Sequence, residues 1–498
     1  MKSALAVGAV LSLFPFGAAF GAETEKNRET SESTLSLDQF LGQVRNQNQG
    51  MKGAVTGSEG SQLRSKEGEL LLAPTLYGNA QITRDSKLTP PLFLIYDNAL
   101  TETFSLGVSQ LTTFGLQAKL HYDIYSITYN GAQIAPSLSS LAGNSEVIAI
   151  SYANASPVLE LTQNLWSNGF GASTRANQEY LEAQALAASY NSGYQAQSVA
   201  SEAETNYWGL ALARQQVTLQ NEAVDRAKKI YDYNVKQARL QLRDESDVVQ
   251  AEALLRNYEL SLLTAQANER TAARAFNSSR NLDSDQVPEK LAELSPELLD
   301  TIQTPTRARM KLDVLAAEQS ARASRANAIV NLERDKPTLD LFASATLNGQ
   351  TASSYATSVG SSIGPSFTLN RPTYVAGIRF SAPLDVSLVD RSKNGWKQES
   401  VAAEFNYDRK TFEQEQKWRD LNESLTDARK QLELSRKLVK VEKSKLEIAK
   451  KRLSQGRMTT YQVLLFEQDY LSAELGRLNN QKAVLNLIAQ MKLFGGPV

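Results

Sequence analysis

The chain is 498 residues long, with 53 basic and 54 acidic residues for a net charge of -1, no cysteine and a single histidine, His121. The absence of cysteine excludes disulfides, thiolate metal sites and cysteine nucleophiles, and one histidine argues against a His-based triad or a zinc site. Balanced charge gives no electrostatic footprint for nucleic acid. Length alone suggests roughly two to four domains. A mean hydropathy of -0.36 and the wealth of Ala, Gln, Glu, Lys, Arg and Leu point instead to long packed helices.

Residues 1–22 read as a secretory signal: Lys2, an apolar run over 4–20, then Gly21-Ala22 before Glu23. Phe20 is a poor residue at the −3 position, so Ala19 is a second cleavage candidate. Beyond residue 22 no apolar run approaches the ~20 residues of a membrane-spanning helix. An exported chain of this kind that enters a membrane does so with β-strands.

Residues 23–35 are polar and read as a flexible leader. Ser36 then offers an N-cap for a helix to about residue 49, with Gly50 and Gly53 marking a bend and a more polar helix over 54–70. Pro74-Thr75-Leu76 opens a strand over 76–82, and a loop at Pro90-Pro91 leads to the clearest β region, 104–129. There Leu116, Ala118, Leu120, Tyr122, Ile124 and Ser126 share one face. Gln117, Lys119, His121, Asp123, Tyr125 and Ile127 share the other. This suits a barrel strand between lipid and water, and equally a soluble sandwich strand. A turn at Thr112-Gly115 precedes it. After a small-residue loop over 130–144, a strand over 147–165 is expected to break near Ala155-Ser156-Pro157. Ser173 or Thr174 is the expected cap of a helix running to about residue 243, roughly 100 Å long. It breaks over 242–246 and returns with Val248, Leu255, Tyr258, Leu262 and Ala265 on one side.

An acidic, proline-bearing linker, 281–305, separates this unit from a second. The pattern restarts with a helix over 307–333, a strand from Leu339 to Leu347, a loop over 349–370 and a strand over 373–384. A long helix from Val389-Asp390 follows, breaks at Ser454-Gln455-Gly456-Arg457, and returns through Leu464, Leu471, Leu475, Leu478 and Leu485. Sliding the hairpins by 215 positions superposes Val248 on Val463, Glu252 on Glu467 and Gln266 on Gln481. Pro74-Thr75-Leu76 matches Pro337-Thr338-Leu339 at a larger offset, so the first unit holds an extra hairpin around Thr112-Gly115. The division is a signal (1–22), a leader (23–35), a first repeat (36–280), a linker (281–305), a second repeat (306–493) and a short tail (494–498).

About four strands per chain cannot close a barrel, and open sheet edges are not tolerated in lipid. Membrane-embedded strands would have to be pooled by several copies in a cyclic oligomer, and the long helices need neighbours for the same reason. Four strands from each of three chains would give twelve, and the extra hairpin either joins them or stays outside the barrel.

With this tandem order, and with Leu161-Thr162-Gln163-Asn164-Leu165 echoed by Phe380-Ser381-Ala382-Pro383-Leu384, the chain resembles the TolC-like outer-membrane efflux proteins. The resemblance covers nearly everything after the leader. It implies an α+β membrane protein: a homotrimeric β-barrel set in outer-membrane lipid and continuous with a long periplasmic α-helical barrel. The implied partners are a periplasmic adaptor and an inner-membrane transporter, with no cofactor, no metal and no enzymatic activity. The implied role is a passive conduit for efflux or type I secretion, shut at the periplasmic helix tips. A periplasmic adaptor and a structural coiled coil or adhesin are the alternatives. The first would need only one hairpin, and the second needs neither strands nor duplication.

The resemblance makes Asp247 a gating residue, with Asp244, Arg243, Arg457 and Gly456 as further gate candidates. Leu240, Gln241, Leu242, Gln455 and Met458 are candidate adaptor contacts. The family's tip glycine is kept as Gly456 and replaced by Gln241 in the first tip. Its aromatic and arginine partners of the aspartate are replaced by Leu453 and Met458, with Arg457 adjacent. Gln462 and Leu465 stand where a carboxylate ring would form. Asp244, Glu245 and Asp247 equally suit the acidic first turn of a helix. Arg239, Arg243 and Arg457 equally suit solvated surface.

Overall fold

A computed structural model describes residues 34–87, 94–134, 148–241, 244–292, 302–307, 310–350 and 359–494. The signal and most of the leader, the Pro90-Pro91 loop and most of the 130–144 loop lie outside these residues.

Helix α1 (Leu37–Gln47) starts with Ser36 and Gln39 in a reciprocal capping box. The bend that follows is at Asn48 rather than at the glycines. Its extended backbone ends α1, and its side chain accepts the Met51 N–H to start α2 (Gln49–Arg64). Gly50, Gly53, Gly57 and Gly60 all lie inside α2. A 3-10 turn, Glu67–Leu72, delivers the chain to the sheet.

The sheet is an antiparallel path of β2 (Thr75–Asp85), β4 (Asn98–Leu111), β5 (Leu116–Ile134), β6 (Ile148–Asn164), β8 (Thr338–Leu347) and β9 (Pro372–Ser381), in that order. The two-residue β3 (Leu94–Ile95) pairs with β5. The extra hairpin of the first repeat is therefore β4–β5, inserted between β2 and β6. Strand β6 does not break at Pro157. Its ladder to β8 begins only at Val158, so the proline, which has no N–H, falls where that edge of β6 is not yet paired. The 349–370 loop contains helix α6 (Val359–Ile363) and a 3-10 turn, Pro365–Phe367.

The first long helix, α3 (Ala172–Arg239), has 68 residues and is capped by neither Ser173 nor Thr174. Asn168, in the left-handed conformation, accepts the Thr174 N–H at 3.0 Å, and Gly171 at φ 77° turns the chain into the helix. After the tip, α4 (Glu245–Ser279) returns. Part of the leader and part of the linker then meet: β1 (Thr34–Leu35) pairs in parallel with β7 (Lys290–Leu291). The buried Tyr207 of α3 holds this joint. Its hydroxyl donates to the Leu35 carbonyl at 2.7 Å and accepts from the Ala292 N–H at 3.1 Å.

In the second repeat α5 (Leu312–Arg334) starts five residues later than residue 307, because Lys311 before it is extended and Arg307 pairs with Glu415 of the second long helix. Helix α7 (Val386–Ser454) starts earlier than expected because Asp385 accepts the Leu388 N–H as N-cap. Helix α8 (Thr460–Lys492) closes the second hairpin through a Thr459–Gln462 capping box. Phe494, beyond it, is buried against Trp418 at 5.2 Å.

These helices form one layer, four across at each level: α2, α3, α5 and α7 near the sheet, then α4, α3, α8 and α7 toward the tips. Its lower seam holds the leucines read from the heptads. Leu464, Leu471, Leu478 and Leu485 are buried, as are Leu255, Tyr258 and Ala265 of α4. Each such leucine contributes roughly 1.5–3 kcal/mol of apolar burial. No helix among the described residues is long and apolar enough to cross a membrane.

Candidate functional site

The end of the layer farthest from the sheet consists of two helix breaks. Helix α7 ends in a Schellman motif: Gly456, at φ 70°, donates to the Leu453 carbonyl at 3.0 Å, and Arg457 donates to Arg452 at 2.9 Å. At the equivalent place in the first repeat, Gln241 takes φ 58° and donates to Ala238 at 2.9 Å. The glycine and the glutamine thus do the same backbone work, but a side chain at left-handed φ costs about 1 kcal/mol that glycine avoids.

Asp244 is the N-cap of α4, and its carbonyl accepts the Asp247 N–H at 3.1 Å, so both acidic residues stand in the first turn. Asp244, Gln241, Leu240, Gln455 and Arg457 are exposed, and Asp247 and Met458 are half-buried. Leu242 and Arg243 lie outside the described residues. Leu453, one of the two replacements at the family's pairing positions, is buried under the second tip.

Behind the exposed turns lies a set of contacts that local sequence patterns do not signal. The Thr460 hydroxyl, at the start of α8, donates to Asn234 Oδ1 near the end of α3 at 2.8 Å, and Asn234 Nδ2 donates to Ile230 of its own helix at 2.9 Å. Two helical turns farther from the tip, Glu467 of α8 is wholly buried. It pairs with Arg226 of α3 through the guanidinium Nε, and with Lys450 of α7 at 3.0 Å. The Arg226 guanidinium stacks 5.2 Å from the Tyr470 ring centre. Burial, reinforced by Glu474, pushes the Tyr470 phenol up to about 12, and burial likewise raises Tyr258. Both phenols are neutral at ordinary pH, so the buried Glu467 carboxylate faces two cations, of which Arg226 also reaches the exposed Glu222 at 3.4 Å.

The repeat is unequal here. Glu252, which superposes on Glu467, pairs among the described residues with Arg256 on the exposed side of its own helix. One signal was available: Glu467 was visible as a matched position. Its partners, 241 and 17 residues away, had no pattern to reveal them.

Such an arrangement fastens α3, α7 and α8 to one another. Among the described residues no cluster of three or more His, Asp or Glu is placed to hold a metal.

No family model matches the sequence, and no curated protein matches it. Solved structures do. The Campylobacter jejuni CmeC outer membrane channel is 18% identical, with a TM-score of 0.60 over 93% of this chain and 86% of its own. The outer membrane protein VceC of Vibrio cholerae is 14% identical, with a TM-score of 0.61 over 92% of this chain and 96% of its own. The open state of the Neisseria gonorrhoeae MtrE outer membrane channel is 16% identical, with a TM-score of 0.62 over 93% and 89%. Matched over 92–93% of its length, the chain has the fold of the TolC-like outer-membrane efflux channels.

Proposed function

We propose that this protein is the outer-membrane channel of a tripartite efflux or type I secretion system. It acts as a homotrimer, as a passive conduit from periplasm to exterior and not as an enzyme. The observation that carries the reading is that both layers end uncovered at the same two flanks. Strand β9 leads directly into α7, and α2 leads into β2, so the open edges of the sheet continue into the outer helices. On α7 the exposed apolar residues Phe405, Phe412, Leu434, Leu438, Val441 and Ile448 form a stripe at helical spacing, and on α4 at the other flank Val249, Leu260 and Leu263 are exposed. Two different faces that each need a partner define a head-to-tail contact, which closes into a ring when the rotation between copies is a whole fraction of a turn, as in a trimer.

In that ring the helices form the periplasmic tunnel, and the two tips form its inner end. Asp247, Asp244, Arg457 and Gly456 stand at this gate; Arg243 lies outside the described residues. Leu240, Gln241, Gln455 and Met458 offer the surface that an adaptor, carrying an inner-membrane transporter, would meet; Leu242 lies outside the described residues. The fold of both hairpins with a shared sheet favours this over a single-hairpin adaptor or a fibrous adhesin.

The test is the size of the protein extracted from outer membranes in mild detergent. Chemical crosslinking and native mass measurement should give a trimer. A monomer with both flanks open would contradict the reading.

A further inference from the structure

We propose that the inserted β4–β5 hairpin is part of the transmembrane barrel wall, so that each copy contributes six strands and three copies close a barrel of eighteen. This rests on the trimeric channel proposed above and changes what its membrane portion is.

The register carries the argument. One row across the sheet runs Leu76, Val108, Leu120, Leu159, Ala345, Tyr374, through β2, β4, β5, β6, β8 and β9 in turn. Two residues along, Gly78, Leu106, Tyr122 and Pro157 align, and then Ala80, Phe104, Ile124 and Ala155. The opposite face reads Asn79, Ser105, Asp123 and Ser156 in one row, with Ser109, Lys119, Glu160 and Ser344 in another. The apolar face of the hairpin is thus continuous with that of the four repeat strands, and so is its polar face. A hairpin folded away as a loop or plug would have no reason to keep this phase across both neighbours, because a one-residue slip would exchange its faces.

The polar face is also chemically suited to water. His121 Nδ1 lies 2.8 Å from Asp123, and Lys119 lies 3.9 Å from Glu160 on the next strand. Three of these four groups come from β5. Tyr77 of β2 lies across Gly107 of β4, where a Cβ would come within 2.9 Å of its ring, and tilts against His121 at 6.4 Å between ring centres.

The hairpin turn is fixed at the helix end of the sheet. Gly115 packs on Gly171 so closely that a Cβ on either would meet the other's backbone within 3 Å. Arg175 of α3 donates to the Thr113 and Phe170 carbonyls at 3.0 and 2.7 Å, and Gln163 donates to Phe114 at 3.0 Å. Each of the six strands has ten or more residues, the length that a tilted transmembrane strand needs.

Adding two strands preserves the alternation of direction, so β2 of one copy can still pair antiparallel with β9 of a second copy. Barrel diameter grows roughly linearly with strand number, so the lumen is about one and a half times as wide as a twelve-stranded one. Phe367 and Ser366 cover the apolar face at Tyr122; where Leu106, Leu120, Leu159 and Ile378 leave it exposed, its ligand is membrane lipid, and the partner of the two edges is another copy of this chain.

Because the chain has no cysteine, single cysteines can be read without background. Leu106→Cys and Leu120→Cys on the hairpin are compared with Leu161→Cys on β6 and Ile378→Cys on β9, with Ser105→Cys and Tyr125→Cys as polar-face positions. Full-length protein in phosphatidylcholine vesicles is labelled with a bimane, and quenching by nitroxide-labelled phospholipid is measured. The expected result is equal quenching at Leu106, Leu120, Leu161 and Ile378. Reaction with a charged thiol reagent should be about tenfold faster at Ser105 and Tyr125. Hydrogen exchange on the unsubstituted protein should protect β4 and β5 as strongly as β6 and β8. Quenching at Leu161 and Ile378 with none at Leu106 and Leu120 would overturn the six-strand wall and leave the channel standing. Absence of quenching at all four positions would overturn both.

Discussion

Asn234 and Thr460 lie 226 residues apart and share a 2.8 Å hydrogen bond from which solvent is excluded on both sides. The bond joins the end of the first long helix to the start of the second returning helix, just behind both tips. Thr460→Val keeps the shape and removes the donor, leaving Asn234 Oδ1 buried and unmatched. The expected cost is about 1–3 kcal/mol, read as faster hydrogen exchange over the last turns of α3 and first turns of α8. Unchanged exchange would mean the bond does not hold the tips together.

Glu467 and Glu252 make a second test, because the internal repeat supplies its own control. Glu467→Gln leaves Arg226 and Lys450 without their buried carboxylate, and removing one member of such a set typically costs about 3–5 kcal/mol. Glu252→Gln removes an exposed pair within one helix and should change stability by less than about 0.5 kcal/mol. Chemical denaturation of the two variants side by side should separate them clearly. Equal effects would contradict the burial assigned to Glu467.

The two tips differ in a way that mutation can equalise. Gln241→Gly should relieve the left-handed backbone and stabilise the first tip by about 1 kcal/mol, and Gly456→Gln should destabilise the second by a similar amount. The sequence displayed this exchange directly, because the repeat offset pairs the two positions. Long helices, strand alternation and the duplication were legible for the same reason: each is a local periodicity repeated over many residues. What escaped were features settled by distant neighbours. Pro157 reads as a strand breaker until the ladder to β8 is seen to begin one residue later, at Val158. Thr174 reads as a cap until Asn168 takes that role from a left-handed turn. The placing of β4–β5 inside the sheet depends on registers to β2 and β6 that no single strand encodes. Tip residues such as Asp247 were found by family likeness, whereas Asn234, Thr460, Arg226 and Lys450 had no such guide.

The linker is clipped by Arg280, whose guanidinium donates to Glu289 at 2.8 Å, Asn277 at 2.6 Å and Gln43 at 3.1 Å. Burial raises the Glu289 carboxyl, but the hydrogen bond and charge of Arg280 outweigh it and hold the group below its ordinary 4.5. A lowered folded value means that the contribution is complete above the ordinary value and is lost as pH falls through the lowered one. Acidification should therefore loosen the joint of β1 with β7 before the buried leucine seam opens. Glu289→Gln should remove that pH dependence, as followed by hydrogen exchange at Lys290 and Leu291.

The central claim is a conduit closed at its helical tips, and planar-bilayer recording of the purified full-length protein tests it most directly. The unsubstituted channel should pass small, stepwise currents, and Asp247→Ala or Thr460→Val should raise the conductance several-fold by loosening the tips. Absence of conductance from all three would contradict the account.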